Sequence, residues 1–175
     1  MVVEKRLVAA VVAACAFAGA VATTASATTA TKVVSAADAK ADQVLSFYNQ
    51  ALDETVDACY PGPPVTTTPQ VNDGCQHWVP VPASQGYLIE SAYPSVPTLC
   101  IKAPSQVGQL ATMAPCNAAD PSQQWNFPRI GSNQVFIALA GDNTQVLGST
   151  TPGYQLELEE LTGAANQRWT QTPPV

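Results

Sequence analysis

Gln76-His77-Trp78, Gln123-Gln124-Trp125 and Gln167-Arg168-Trp169 place all three tryptophans of the chain in one tripeptide, Gln-x-Trp, 47 and 44 residues apart. A residue this scarce does not fall into the same local context three times by chance. The tripeptides therefore mark an internal repeat of about 45 residues, the period of stacked or radially arranged units. The cysteines keep a related rhythm, because Cys59 to Cys75 and Cys100 to Cys116 each span 16 positions and are offset by 41. Equal spacing favours the pairs Cys59–Cys75 and Cys100–Cys116, one staple per repeat, each worth about 3 kcal/mol in the chain-entropy model. In the third repeat Leu161 aligns with Cys116, and Gln145-Val146-Leu147 aligns with Leu99-Cys100-Ile101. Both cysteines are absent there together, as a pair within one repeat requires. A zinc site is the other use of four thiols, but no C-x₂-C pair exists and His77 is the only histidine.

Between the tripeptides the pattern is short strands separated by turn residues. Tyr87-Leu88-Ile89-Glu90, Val135-Phe136-Ile137-Ala138-Leu139 and Leu156-Glu157-Leu158-Glu159 read as strands, the last with strict alternation. Gly86, Pro94, Pro97, Gly108, Pro121, Gly131, Gly141 and Pro152-Gly153 punctuate them. A single such unit buries too little apolar surface to stand alone, so the three must close on one another. The expectation is an all-β barrel with threefold symmetry, its repeats covering about 42–82, 83–130 and 131–175. The first repeat is ambiguous. Ala41, Val44, Leu45, Tyr48, Leu52 and Val56 fall at helical spacing, which makes 38–58 an amphipathic helix. Yet Leu45 precedes Cys59 much as Tyr87 precedes Cys100, which makes Val44–Tyr48 a strand in register, and this reading is favoured.

Of 175 residues, 46% are apolar, 11% are charged and 15 are proline. Average soluble domains have about 25% charged residues and about 5% proline. With 7 basic and 13 acidic residues the chain is a poor partner for nucleic acid or an anionic membrane surface. The segment 1–27 reads as a secretory signal: Lys5 and Arg6, an uncharged apolar run Leu7–Val21, then Ala25-Ser26-Ala27 as a cleavage site. The run is shorter than the roughly 20 residues that span a bilayer. Val12-Ala13-Ala14-Cys15 resembles a lipobox, which leaves a lipoprotein anchored through Cys15 as a second reading. Cleavage after Ala27 leaves 148 residues, from which Glu4, Lys5 and Arg6 are gone, giving 5 basic against 12 acidic residues. Residues 28–41, rich in Thr and Ala, read as a linker. An exported chain with four remaining cysteines fits two disulfides.

Three Gln-x-Trp units, with Cys116-Asn117 ahead of the second, resemble the ricin B-type lectin family, over residues 42–175. The resemblance implies a β-trefoil in which Trp78, Trp125 and Trp169 pack in a shared core while Gln76, Gln123 and Gln167 satisfy nearby backbone groups. It also implies a glycan or polysaccharide ligand. Its sugar sites use an Asp two residues after the first cysteine, an aromatic two before the second, and an Asn just before Gln-x-Trp. Carboxylate and amide bond adjacent hydroxyls, and an aromatic ring covers the apolar sugar face. Here the second repeat offers Lys102, Ala114 and Ser122, and the third offers Gly148, Glu159 and Asn166. In the first, the cysteine spacing puts Pro61 at the Asp position and leaves six residues missing between Cys75 and Gln76.

The third repeat is the best remaining candidate, with Asn166, Gln167, Tyr154 and Asp142 as its liners. Tyr154 follows Pro152-Gly153 and so sits on a turn. Alternation places Glu157 and Glu159 on one solvated strand face. No G-x-S-x-G, no nucleotide-binding glycine loop and no second histidine occur, so neither catalysis nor a cofactor or metal is expected. The function expected is a secreted, non-catalytic lectin-type binding module. The alternative is a protein-binding trefoil, such as a secreted protease inhibitor, using the proline-rich loop Tyr60–Gln70.

Overall fold

A computed structural model describes residues 43–59, 64–71, 73–95, 97–150 and 155–174. The signal and linker segments, Pro61 and Tyr154 lie outside the described residues. The described chain is built of strands joined by turns and three short 3₁₀ turns. The first repeat holds β1 (Ser46–Asn49), β2 (Glu54–Asp57), β3 (Thr66–Thr68) and β4 (Trp78–Pro82). The second holds β5 (Tyr87–Ser91), β6 (Leu99–Lys102), β7 (Thr112–Pro115) and β8 (Trp125–Asn126). A small hairpin, β9 (Arg129–Ile130) and β10 (Gln134–Val135), spans the join of the second and third repeats. The third continues through β11 (Ala138–Leu139), β12 (Asp142–Ser149), β13 (Leu156–Glu160) and β14 (Trp169–Thr172).

Two layers result, a closed ring and a cap. In the ring β1 pairs with β14, β4 with β5, β5 with β8, β8 with β11, and β10 with β14. A bridge between Leu45 and Trp78 joins β1 to β4 and completes the circle. Closure removes the free edges that make short strands aggregation-prone. Apart from β9, which pairs with β10, the remaining strands form three hairpins, β2–β3, β6–β7 and β12–β13, which lie together over one mouth of the ring. Where they meet, Val65 N–H donates to Ala111 O (2.9 Å), Ala111 N–H to Leu156 O (2.8 Å) and Leu156 N–H to Val65 O (2.7 Å). All three residues are fully buried. The architecture is the expected β-trefoil, and the ambiguous 38–58 segment is strand, not helix, through its described part.

The core explains the tripeptide. Trp78, Trp125 and Trp169 are wholly buried, and each indole N–H donates to a strand carbonyl, that of Val56, Ile101 and Leu147 at 3.0–3.1 Å. Those carbonyls stand at the same point of their hairpins, so the indole satisfies its polar atom while filling the shared centre. Each Gln ends a 3₁₀ turn: Gly74–Gln76, Pro121–Gln123 and Ala165–Gln167. Its Oε1 accepts the N–H of Val71, Asn117 or Thr162, and its Nε2 donates to the carbonyl of Pro69, Pro115 or Glu160. The glutamine is thus a buried bracket between the end of a cap strand and the tryptophan that follows.

Both disulfides form as paired by spacing, Cys59–Cys75 and Cys100–Cys116, but they are not equivalent. Strand register aligns Thr55–Thr68 with Cys100–Ala114 and Val146–Glu159. Cys100 is therefore matched by Thr55, not Cys59, and Cys59 lies beyond the end of β2. Cys75 sits inside the 3₁₀ turn, where the third repeat has Asn166. This corrects the reading of the first repeat: no six residues are missing, and the position opposite Thr66, matching Lys102 and Gly148, is Asp57 rather than Pro61.

Candidate functional site

Each hairpin turns one face to the core and the other outward, and the outward faces differ in charge. In the third repeat Gly148 of β12 leaves open the space where a side chain would rise. A Cβ built there would lie 2.5–2.6 Å from the Glu159 carboxylate, which fills that space from the neighbouring strand β13. The carboxylate accepts from Asn166 Nδ2 (2.9 and 3.2 Å) and from Gln167 Nε2 (2.7 Å). Glu159 and Asn166 are half-buried and Gln167 is buried. The group is a shelf with one charged acceptor and one amide, both anchored. Glu159 therefore does more than coat a solvated strand face, which corrects the expectation drawn from alternation; Glu157 shares that face and is also half-buried.

Asp142 and Asn166 do not converge through any direct bond. Asp142 heads β12, where its Oδ1 accepts from Thr144 N–H (3.0 Å) and Oγ1 (2.6 Å) and its Oδ2 from Gln145 Nε2 (3.0 Å). The Thr144 hydroxyl, then the Thr144 N–H, hold its carboxyl below the usual carboxylate range. Gln167 is both a bracket of the core and a buttress of the shelf, because its second N–H reaches Glu159.

The first repeat makes the same arrangement from the other strand. Asp57 of β2 accepts at Oδ2 from Thr68 Oγ1 (2.8 Å) and Gln76 Nε2 (3.3 Å). Here the carboxylate rises from β2 and a threonine stands across, whereas the third repeat has glycine on β12 and glutamate across. In the place of the amide stands Cys75, committed to its disulfide. The second repeat reverses the charge: Lys102 replaces the acid and pairs with Asp120 at 2.9 Å. Asp120 also caps the 3₁₀ turn, and the Ser122 hydroxyl, followed by Lys102, holds its carboxyl below the usual range. Two groups of possible ligands include these cysteines, Asp57 with Cys59 and Cys75, and Glu90 with Cys100 and Cys116. Disulfide sulfur is no thiolate donor, so neither holds a metal in the oxidised protein.

The proline-rich loop Tyr60–Gln70 is only partly a loop. Residues 60–63 lie outside the described residues; Thr66–Thr68 form β3, with Thr67 fully buried and Val65 on the threefold axis, so these side chains offer no contact surface. No helix among the described residues is long and apolar enough to cross a membrane.

No protein-family model and no curated protein sequence matches the chain. Solved structures do match. The designed threefold-symmetric protein ThreeFoil has a TM-score of 0.65 at 15% identity, covering 74% of this chain and 97% of its own. Cytolethal distending toxin from Actinobacillus actinomycetemcomitans gives 0.63 at 16% identity, covering 77% and 94%. The C-half of the earthworm R-type lectin, solved in complex with GalNAc, gives 0.56 at 18% identity, covering 74% and 98%. At such identities the likeness is one of fold: the chain is a β-trefoil similar to lectin and toxin trefoils.

Proposed function

We propose that the protein is a secreted, non-catalytic carbohydrate-binding module whose working site is the third-repeat shelf. The observation that carries this reading is the Glu159 carboxylate, lying over Gly148 and fixed there by Asn166 and Gln167. A fixed acceptor beside an amide suits two neighbouring hydroxyls of a sugar, and its rigidity lowers the entropy lost on binding. The shared fold with an R-type lectin half supports the same ligand class. Tyr154, in the segment joining β12 to β13, is assigned the stacking role, and Asp142 the rim. The two disulfides fit an oxidising compartment, and with the signal-like segment 1–27 they support export.

The test is a glycan array probed with the wild type, Glu159→Gln, Asn166→Ala and Tyr154→Ala, each checked for an unchanged thermal midpoint. Glycan signal lost in Glu159→Gln and Asn166→Ala supports the shelf. A wild type that binds no glycan sinks the reading in favour of a protein partner.

A further inference from the structure

The three junctions between repeats are built alike but filled differently. At the junction of repeats one and two, Tyr93 follows β5 and its N–H donates to Ser91 Oγ (3.2 Å). Its ring lies against the first 3₁₀ turn, with Cδ2 3.3 Å from where a Cβ on Gly74 would be. At the junction of repeats three and one, register aligns β1 on β14 as β5 lies on β4, so Asn49 matches Ser91 and Ala51 matches Tyr93. The turn confirms the match, because Ala51 N–H donates to Asn49 Oδ1 (3.0 Å). Ala165 stands where the other turn has Gly74. The tyrosine ring is therefore missing here, and the space it would take is open.

A cleft of about 230 Å³ occupies that junction, lined by Gln50, Ala51, Gln134, Ala165 and Arg168. The backbone on its two sides is tied together by Asn49. Asn49 is fully buried, its Oδ1 caps the turn at Ala51 and Leu52, and its Nδ2 donates to Ala165 O across the cleft (3.1 Å). The lining joins two side-chain amides and a guanidinium to the methyl groups of Ala51 and Ala165, a mixed surface that suits a hydroxylated ring with an apolar face. Arg168 directs Nε (2.9 Å) and Nη2 (2.6 Å) to the neutral carbonyl of Gly163. Its charge is thus not met by a carboxylate among the described residues. By contrast, Gln124, at the same place in its tripeptide, is buried and spends its amide on Ser84, Gln85 and Ala118.

We infer that this junction cleft binds one carboxylated pyranose, a uronic acid residue, with the ring in the space Tyr93 fills elsewhere and the carboxylate on Arg168. A single ring matches the volume, the amides of Gln50 and Gln134 serve ring hydroxyls, and a charge-assisted contact selects the acid over its neutral counterpart. This deepens the carbohydrate reading but rests on a separate set of residues from the Glu159 shelf.

The test is titration of the full chain with galacturonic acid and with galactose, followed by the backbone amide resonances of Ala51 and Ala165. The expected result is saturable shifts with the acid bound about tenfold more tightly than galactose, the gain of one charge-assisted contact. Arg168→Gln should erase that preference, and Ala51→Tyr should abolish the shifts at an unchanged melting profile. If Ala51→Tyr disturbs the turn, Ala51→Leu serves as the smaller plug. Glu159→Gln should leave the uronate response intact, which separates failure of this site from failure of the shelf. Uronate binding that persists unchanged in both plugged variants, or a wild type blind to uronate, overturns the assignment.

Discussion

The outer faces of the first and third repeats present the same object by opposite routes. In both, a carboxylate oxygen accepts from the Nε2 of the tripeptide glutamine: Asp57 on Gln76, Glu159 on Gln167. In the first it stands on the earlier strand of the hairpin, opposite threonine; in the third it stands on the later strand, above glycine. The lesson is that the buried glutamine offers the same N–H in each repeat and an acid from either strand of the hairpin can take it. The second repeat, with Lys102 in that place, leaves Gln123 to the carbonyl of Pro115.

The comparison presumes three equivalent cores, and this is the first thing to break. Trp125→Ala and Trp169→Ala should each cost about 3–5 kcal/mol, since each truncates a fully buried indole in one continuous core. Denaturant melts would measure it, and a loss confined to one of the two would end the claim of equivalence. Next comes the staple that the third repeat lacks. Replacing Cys100 and Cys116 with alanine should cost about 2–5 kcal/mol, the usual range for a native disulfide in a small domain. Substituting Val at 100 instead, as the third repeat has at the buried position 146, should recover part of this through restored apolar packing.

A sharper cut exchanges the strands. Gly148→Asp alone forces a second carboxylate into the space of Glu159 and should destabilise by about 1–3 kcal/mol, through overpacking and like charge. Combined with Glu159→Thr it reproduces the first repeat's arrangement and should return to within about 1 kcal/mol of the wild type. Non-additivity in a thermal melt is the signature; simple addition of the two losses would refute the exchange. The smallest effect belongs to the second repeat. Lys102→Ala should cost only about 0.2–1 kcal/mol, because the pair is partly exposed. Asp120 is held low in the folded state, so its contribution is present above the ordinary Asp value and fades as pH falls through the lowered one. Asp120→Asn should therefore differ from the wild type near neutrality and converge with it in strong acid.

Much of this was legible in the residues. Trp78, Trp125 and Trp169 fix the period because each indole fills the same place in the shared core and bonds the equivalent carbonyl, and the alternation of Leu156–Glu159 shows the strand plainly. The first repeat misleads because two disulfides of identical span suggest a common register, although a staple needs only proximity of two Cα atoms, which several places in a hairpin offer. Counting back from tryptophan would have found the acid: Asp57 precedes Trp78 by 21 positions, as Gly148 precedes Trp169. The shelf itself was half visible. Asn166 stands out as a surviving amide, but Glu159 reads as an acid where an aromatic is expected, since nothing in a linear pattern says that an acid on one strand leans over a glycine on the next. The junction cleft was invisible, because it depends on which residue of one repeat touches a turn of another.

The three hydrogen bonds joining Val65, Ala111 and Leu156 run head to tail, each repeat giving a donor to one neighbour and taking one from the other. Such a cycle has no partial version. In two docked repeats one N–H and one carbonyl would lack their protein partner and turn to water, and only the third repeat completes the bonds and the burial together. Assembly of the cap is therefore a closing event rather than a gradual one. A chain that loses any one repeat should forfeit the order of the other two, and proline, which removes the donated N–H, should be tolerated poorly at each of these three positions.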